Sequence, residues 1–411
     1  MSRIRVPMRW PAEWTDPRRL ELLKATPVNC LVGEKAPPFP LGDLEFVTLT
    51  PERPPEGVAL RQGLWPRVQA AKSAGGSDAE SGPTGAPWVD SNAAVIRLAQ
   101  ALEPGQEVWL TYSPPPPNEV VPFDLFALPV AEAGAYGARW LITLQNAFRE
   151  GLETGNAEAM AAWKHLTNVL DFSARHAEWS RWEPVASLAI VSDFTGDNEL
   201  LSHEFLNLAP RRHLAYRIVL RSAAASASFQ EQKAILYIDA TLPEGDLRAR
   251  LLDFASQGGL LILPKALPDS GAPGETAYGY NIHHHGKGRI ASPIEEWYDP
   301  YLLAGEVHLL LSHRQDVVRI WNGGLMNSHY VASPDRKRGV VHLVNYGGRS
   351  YGRRRQPMRL DDVTLGFAES YQSAKVYTPE GEHTVQALKR RLGTEIPLPP
   401  FSIYAAIELR G

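Results

Sequence analysis

Residues 187–264 alternate short aliphatic runs with single helical segments, and that rhythm leaves a chain few folds to choose from. Ser187-Leu-Ala-Ile-Val-Ser192 is an apolar run ending in Asp193, residues 197–208 are amphipathic, 216–220 are extended, and 233–239 form a second run of the buried type. The segment that follows carries helix punctuation. Thr241 and Glu244 stand at capping-box spacing, Leu247, Leu251 and Phe254 fall on one face, and Gly258-Gly259 stops the helix before Leu260-Leu-Ile-Leu263. Short aliphatic strands joined by helices form parallel sheets covered on both faces, so the stretch predicts a small doubly wound α/β domain.

A chain of 411 residues is too long for one core and fits about two to four domains, which its 44% apolar residues can fill. Its net charge of −4 leaves no basic footprint for nucleic acid, and no apolar run nears the roughly 18 residues of a membrane span. Met1-Ser-Arg-Ile-Arg-Val-Pro7 shows neither the apolar core nor the cleavage site of an export signal, so the cytoplasm is the expected compartment. The single cysteine, Cys30, agrees: it excludes an internal disulfide and a thiolate metal cluster.

Strand and helix also alternate before residue 184. A helix-like segment at 16–24 precedes candidate strands at 28–32 and 46–49, after which Glu34, Thr50 and Glu52 stand at strand ends. In a barrel that end carries the chemistry, although a solvated loop carboxylate is the commoner role for Glu34 and Glu52. Residues 73–85 are rich in Gly, Ser and Ala and predict a mobile loop. Pro87-Trp-Val-Asp-Ser-Asn92 is a short strand with a polar end. A helix at 93–102 leads to the strand 107–112, and Pro114 to Pro117 hold the next loop, with Glu119 and Asp124, extended. A helix at 128–137, a strand at 139–144 ending in Gln145-Asn146 and a long helix at 157–177 follow, the last with Met160, Trp163, Leu166, Leu170 and Ala174 as its stripe. About five or six strands make this a reduced barrel-like (β/α) layer rather than a complete eight-stranded one. From residue 316 the runs are short and β-rich, at 317–321, 340–345, 374–377, 384–386 and 403–408, which predicts a β-sandwich of roughly one hundred residues. The expected parts are therefore residues 1–183, 184–315 and 316–411.

This order of parts, with Ala135-Tyr-Gly-Ala-Arg-Trp-Leu-Ile-Thr-Leu144, Trp179 and Trp182 after a long helix, and Gly286-Lys-Gly-Arg-Ile-Ala-Ser-Pro293 near the close of the doubly wound segment, is similar to the family 42 β-galactosidases and related clan A glycoside hydrolases. The resemblance implies a catalytic barrel, a trimerisation domain of class I amidotransferase-like fold and a terminal β domain. It also implies a carbohydrate partner and a homo-oligomer, dimer or trimer. The family's catalytic pair does not carry over. Asn118-Glu119 falls too late for the acid, and Tyr112-Ser113 stands where the nucleophile is expected.

Retaining glycoside hydrolysis needs two carboxyl groups about 5 Å apart, one raised in pKa and one ionised. Asp90, Glu119 and Glu52 are the relocated candidates, and Trp88, Asn92, Tyr112 and Asn146 are the candidate sugar contacts, with Trp88 preferred because it adjoins Asp90. Core packing is the ordinary role for Trp65, Trp109 and Trp140, although an indole face also suits the apolar face of a sugar. The amidotransferase thiol is missing from residues 184–315, so Asp193 and Asp239 read as residues that orient loops. His283-His284-His285 lacks an acidic partner at ligand spacing, and the arginines at 349, 353, 354 and 355 read as a solvated hairpin tip. No metal and no cofactor are expected. A glycosidase with a reduced barrel and a non-catalytic carbohydrate-binding or assembly protein both remain open.

Overall fold

The structure is a computed structural model that describes residues 4–50, 54–69, 88–112, 123–268, 271–351, 354–391 and 393–410. Six short parallel strands succeed one another in chain order around its first layer. They are β1 (Pro7–Arg9), β2 (Cys30–Gly33), β3 (Glu45–Thr48), β4 (Val58–Gln62) and, after an antiparallel pair of β5 (Arg67–Gln69) and β6 (Trp88–Asp90), β7 (Glu107–Thr111) and β8 (Arg139–Trp140). Ladders join β1 to β2, β2 to β3, β4 to β7 and β7 to β8, and a parallel bridge from Met8 to Ile142 returns the order to β1. Among the described residues no ladder joins β3 to β4. Instead Cys30, Val32, Leu49, Val58, Trp109 and Leu141 fill one small core between the strands.

Helices α1 (Ala93–Leu102), α2 (Ala127–Ala135), α3 (Asn146–Thr154) and α4 (Ala157–Arg175) cover the strands. Asn156 caps α4 by accepting from the Ala159 amide at 3.0 Å, and the buried face runs through Ala159, Trp163, Leu166 and Leu170. Met160, expected on that stripe, is exposed, because small Ala159 and Ala162 let the helix pack on the neighbouring face. The helix-like segment at 16–24 is a 3-10 turn, Pro17–Leu23, capped by Asp16. The strand expected at 139–144 is shorter, with only Ile142 continuing beyond β8.

After β9 (Glu183–Pro184) the chain builds a seven-stranded sheet from β10 (Leu188–Ser192), β11 (Tyr216–Leu220), β12 (Ala234–Tyr237), β13 (Leu260–Ile262), β14 (Glu275–Ala277), β15 (Tyr280–His285) and β16 (Gly288–Pro293), in the order β11-β10-β12-β13-β16-β15-β14. The first five of that order are parallel, and β15 and β14 are antiparallel additions. Side chains alternate across β10: Leu188 and Ile190 join Phe205, Leu303 and Val307 on one face, while Ala189 and Val191 join Leu251 and Leu261 on the other. Helices α5 (Glu199–Leu208), α6 (Arg221–Ala224), α7 (Gly245–Ser256) and α8 (Pro300–Leu311) flank the sheet. Helix α7 does not use the capping box read at Thr241. It opens at Gly245, whose φ of +54° turns the chain, with Glu244 extended at the N-cap position.

The remaining strands are β17 (Arg319–Trp321), β18 (Met326–Ala332), β19 (Gly339–Asn345), β20 (Gly348–Tyr351), β21 (Arg354–Pro357), β22 (Thr364–Phe367), β23 (Ser373–Thr378), β24 (Gly381–Gln386), β25 (Leu388–Arg390), β26 (Gly393–Pro397) and β27 (Tyr404–Arg410). Two antiparallel sheets, β17-β22-β26-β25 and β24-β23-β27-β19-β18-β9, enclose a core that includes Leu365, Ile396, Leu343, Val376 and Ile407. Strand β18 is unexpected from sequence, since Asn327, Ser328 and His329 interrupt its apolar pattern. Its partner β9 sits at the boundary read between the first two parts, and Val331, Val340, Tyr346 and Tyr404 pack into the core under α2 and α4. No described helix is long and apolar enough to cross a membrane.

Buried His342 and half-buried His213 give this fold a pH dependence. His342 lies in the six-stranded sheet with Nδ1 2.7 Å from the Tyr404 hydroxyl, and burial pushes its pKa down to about 3. His213, 3.2 Å from the Ser328 hydroxyl, is pushed down to about 4 by burial and then by nearby His308. A histidine depressed in the folded state contributes stability that is complete above its unfolded value near 6.5 and is lost as pH falls toward the folded value. Melting temperatures followed by circular dichroism from pH 8 to pH 4 are therefore expected to fall below about pH 6.5, and His342→Gln should flatten part of that slope.

Candidate functional site

The C-terminal ends of β4, β7 and β8 deliver Trp65, Tyr112 and Trp140 to one place. Ring centroids lie 5.2 Å apart for Trp65 and Tyr112, 5.8 Å for Tyr112 and Trp140, and 6.1 Å for Trp65 and Trp140, with buried Phe126 closing the set 5.0 Å from Trp65. Gly63 makes the approach possible. A Cβ there would stand 3.0 Å from the Trp140 ring and 3.2 Å from Asn92 Oδ1. Trp65 and Tyr112 remain half-buried, so this aromatic wall keeps part of its surface open at the C-terminal ends of these parallel strands.

The wall is held from behind. Asn92 Oδ1 accepts from the Leu64 amide at 2.7 Å, and its Nδ2 donates to the Leu64 carbonyl at 2.9 Å and to Glu132 Oε2 at 2.7 Å. Glu132 also accepts from the Asn92 amide at 2.8 Å and from the Tyr346 hydroxyl at 2.6 Å. Asn327 Nδ2 donates to Ser91 Oγ at 3.0 Å beside them. Burial pushes the Glu132 carboxyl above its ordinary value, against the bonds from Tyr346 and Asn92, which favour the ionised form.

Of the residues picked from sequence, Tyr112 lies in the aromatic set and Asp90 ends β6, partly buried. Asn92 is corrected: it is fully buried and its amide is saturated by Leu64 and Glu132, so it positions the Trp65 loop rather than facing a ligand. Asn146 is the exposed first residue of α3, and Glu34 is exposed after β2. Glu52, Glu119 and the side chains of Trp88 and Asp124 lie outside the described residues, as does the glycine-rich run 73–85. Trp109 fills the interior of the strand layer, its indole N–H donating to Glu107 at 3.1 Å. Sequence reasoning passed over Trp65 as core and missed Glu132. The signal was a single charge in an otherwise apolar helix, Ala-Leu-Pro-Val-Ala-Glu-Ala-Gly-Ala.

The doubly wound sheet has polar groups at its switch point, but they satisfy one another. Arg221 donates to Asp239 at 2.7 Å and pairs with Asp193, Ser192 Oγ donates to Asp239 Oδ1 at 2.5 Å, and Asn198 Nδ2 donates to Asp193 at 2.9 Å. Cys30 sits in the small core between the first strands, and burial pushes its thiol up to about 12, so it offers no nucleophile. The histidine run on β15 splits between buried His283, exposed His284 and half-buried His285.

No protein-family model and no curated protein matches the sequence. Solved structures do. The fold is similar to that of α-L-fucosidase isoenzyme 2 from Paenibacillus thiaminolyticus, with a TM-score of 0.54 and 11% identity over 77% of this chain and 62% of that one. It is also similar to a β-galactosidase from Bacillus circulans sp. alkalophilus, with a TM-score of 0.47 and 12% identity over 77% of this chain and 57% of that one. The chain is thus a mixed α/β protein with a glycosidase-like fold, as the resemblance in layout implies, and it spans 62% of the fucosidase's length.

Proposed function

We propose that this is a glycoside hydrolase-like protein that takes a carbohydrate at the C-terminal ends of its barrel strands. The observation that carries the reading is the half-open wall of Trp65, Tyr112 and Trp140, because flat aromatic faces suit the apolar C–H face of a pyranose and the hydroxyl of Tyr112 adds a polar edge. In this reading Asp90, at the end of β6, and Glu119, after β7 in the sequence, are the acid and base or nucleophile. The parts 1–183, 184–315 and 316–411 serve as barrel, assembly and β modules, and the chain works as a homo-oligomer.

The alternative, binding without turnover, is favoured by one specific feature: Tyr112 occupies the strand end where the family's nucleophile is expected. A panel of aryl glycosides separates the two, read together with calorimetric titration of the matching sugars. Release of the aryl group supports a hydrolase, whereas sugar binding without release supports the alternative. In either case Trp65→Ala is expected to weaken sugar binding about tenfold, equivalent to about 1.4 kcal/mol, and unchanged affinity would place the ligand elsewhere.

A further inference from the structure

Helix α8 ends in a cluster that neither the aromatic wall nor the switch point uses. His308 is in its last turn, Ser312 turns the chain with φ +72°, and His313 and Asp316 follow on a 3-10 turn leading to β17. His308 Nε2 lies 2.8 Å from Asp316 Oδ1 and His313 Nδ1 lies 3.1 Å from Asp316 Oδ2, so each carboxylate oxygen faces a different imidazole. One ligand-type atom from each of the three residues lies within 4.8 Å of the others, and among the described residues this is the group of three or more that converges in this way.

The electrostatics ask for a cation. Asp316 is 9% exposed at the side chain, and the ion pairs of the described residues give it no lysine or arginine, only the two imidazoles. Buried carboxylates are paired or coordinate metals, and the negative end of α8 adds to the pull. The ligand set, two imidazole nitrogens and one carboxylate, suits a borderline divalent ion and suits magnesium or calcium poorly. His308 is fixed by burial, and Asp316 is half-buried and held between the two imidazoles. His313, 65% exposed at the side chain, is free to close the last fraction of an ångström toward metal–nitrogen bonds of about 2.0–2.1 Å.

We propose that His308, His313 and Asp316 form a site for a zinc-class divalent cation, with a fourth position open to solvent. Such an ion would pin the end of α8 to the segment entering β17, where the doubly wound layer passes into the β sheets.

The test uses the full chain without an affinity tag, titrated with Co²⁺ and followed by visible absorption, with Zn²⁺ uptake measured by elemental analysis after dialysis. One equivalent of bound metal is expected, and His313→Ala and Asp316→Asn should each weaken it at least tenfold. His313→Ala keeps the test sound, since an exposed ring is removed and circular dichroism can verify folding. His284→Ala on β15 is the control and should leave binding unchanged. Zn²⁺ should also raise the melting temperature of the parent chain and leave that of His313→Ala unmoved. Absence of stoichiometric binding, parent-like affinity in His313→Ala, or loss of binding in His284→Ala would each overturn the proposal.

Discussion

Asp90→Asn and Glu119→Gln are each expected to lower turnover of an aryl glycoside by about two to four orders of magnitude, while the melting temperature stays within a few degrees. The expectation follows from what the reaction demands: one carboxyl must give a proton to the leaving oxygen and another must attack or activate water, and an amide does neither. Asp90 ends a strand that leads through Ser91 and Asn92 into α1, and the Asn92 amide donates to Glu132 and the Ala93 amide to Ser91 Oγ, so the backbone beside it is well fixed. Glu119 stands in the sequence two residues after four consecutive prolines, Pro114 to Pro117. Both substitutions preserve shape, so a large fall in rate without a fall in stability separates chemistry from folding. A stable double mutant with undiminished turnover would move the chemistry to other residues.

Glu132→Ala is expected to destabilise the fold by about 3–5 kcal/mol, measured by urea unfolding. Three donors converge on that carboxylate, from the Asn92 amide, Asn92 Nδ2 and Tyr346, and each buried donor left without a partner costs about 1–3 kcal/mol. Glu132→Gln keeps the volume and part of the acceptance and should lose less. The pH dependence has a definite sign. A carboxyl held above its ordinary value in the folded state contributes stability that is fully present below the unfolded value and is lost as pH rises through the folded value. Glu132→Gln should remove that decline. Equal urea midpoints for Glu132→Ala and the parent chain would show that the network contributes nothing.

The doubly wound sheet was readable because its strands are continuous aliphatic runs and its helices are single amphipathic segments. Leu188 to Val191 and Leu260 to Ile262 sit where their patterns place them. Strand β18 was not readable, because its polar residues answer partners far away in sequence: Asn327 reaches Ser91, 236 residues away, and Arg97 meets His329, 232 residues away. The same reason explains Asn92. Local sequence presents it as an exposed amide at a strand end, and only the fold brings Leu64 and Glu132 to it. Trp65 was legible as an aromatic but not as a wall, since its neighbours Tyr112 and Trp140 come from two later strands.

The backing of that wall has a consequence for how the protein is made. Trp65 rests on Leu64, Leu64 on Asn92, Asn92 on Glu132, and Glu132 on Tyr346 at the end of β19. Strand β19 in turn lies between β18 and β27, so the sheet that carries Tyr346 lacks a central member until residue 410 has emerged from the ribosome. The strands of the first layer can collapse before that sheet is complete, but the loop that presents Trp65 stays unlocked until β27 has been made. A chain stalled before β27 would own every strand of the first layer and still hold its aromatic wall loosely, exposing it to chaperones and proteases rather than to its ligand.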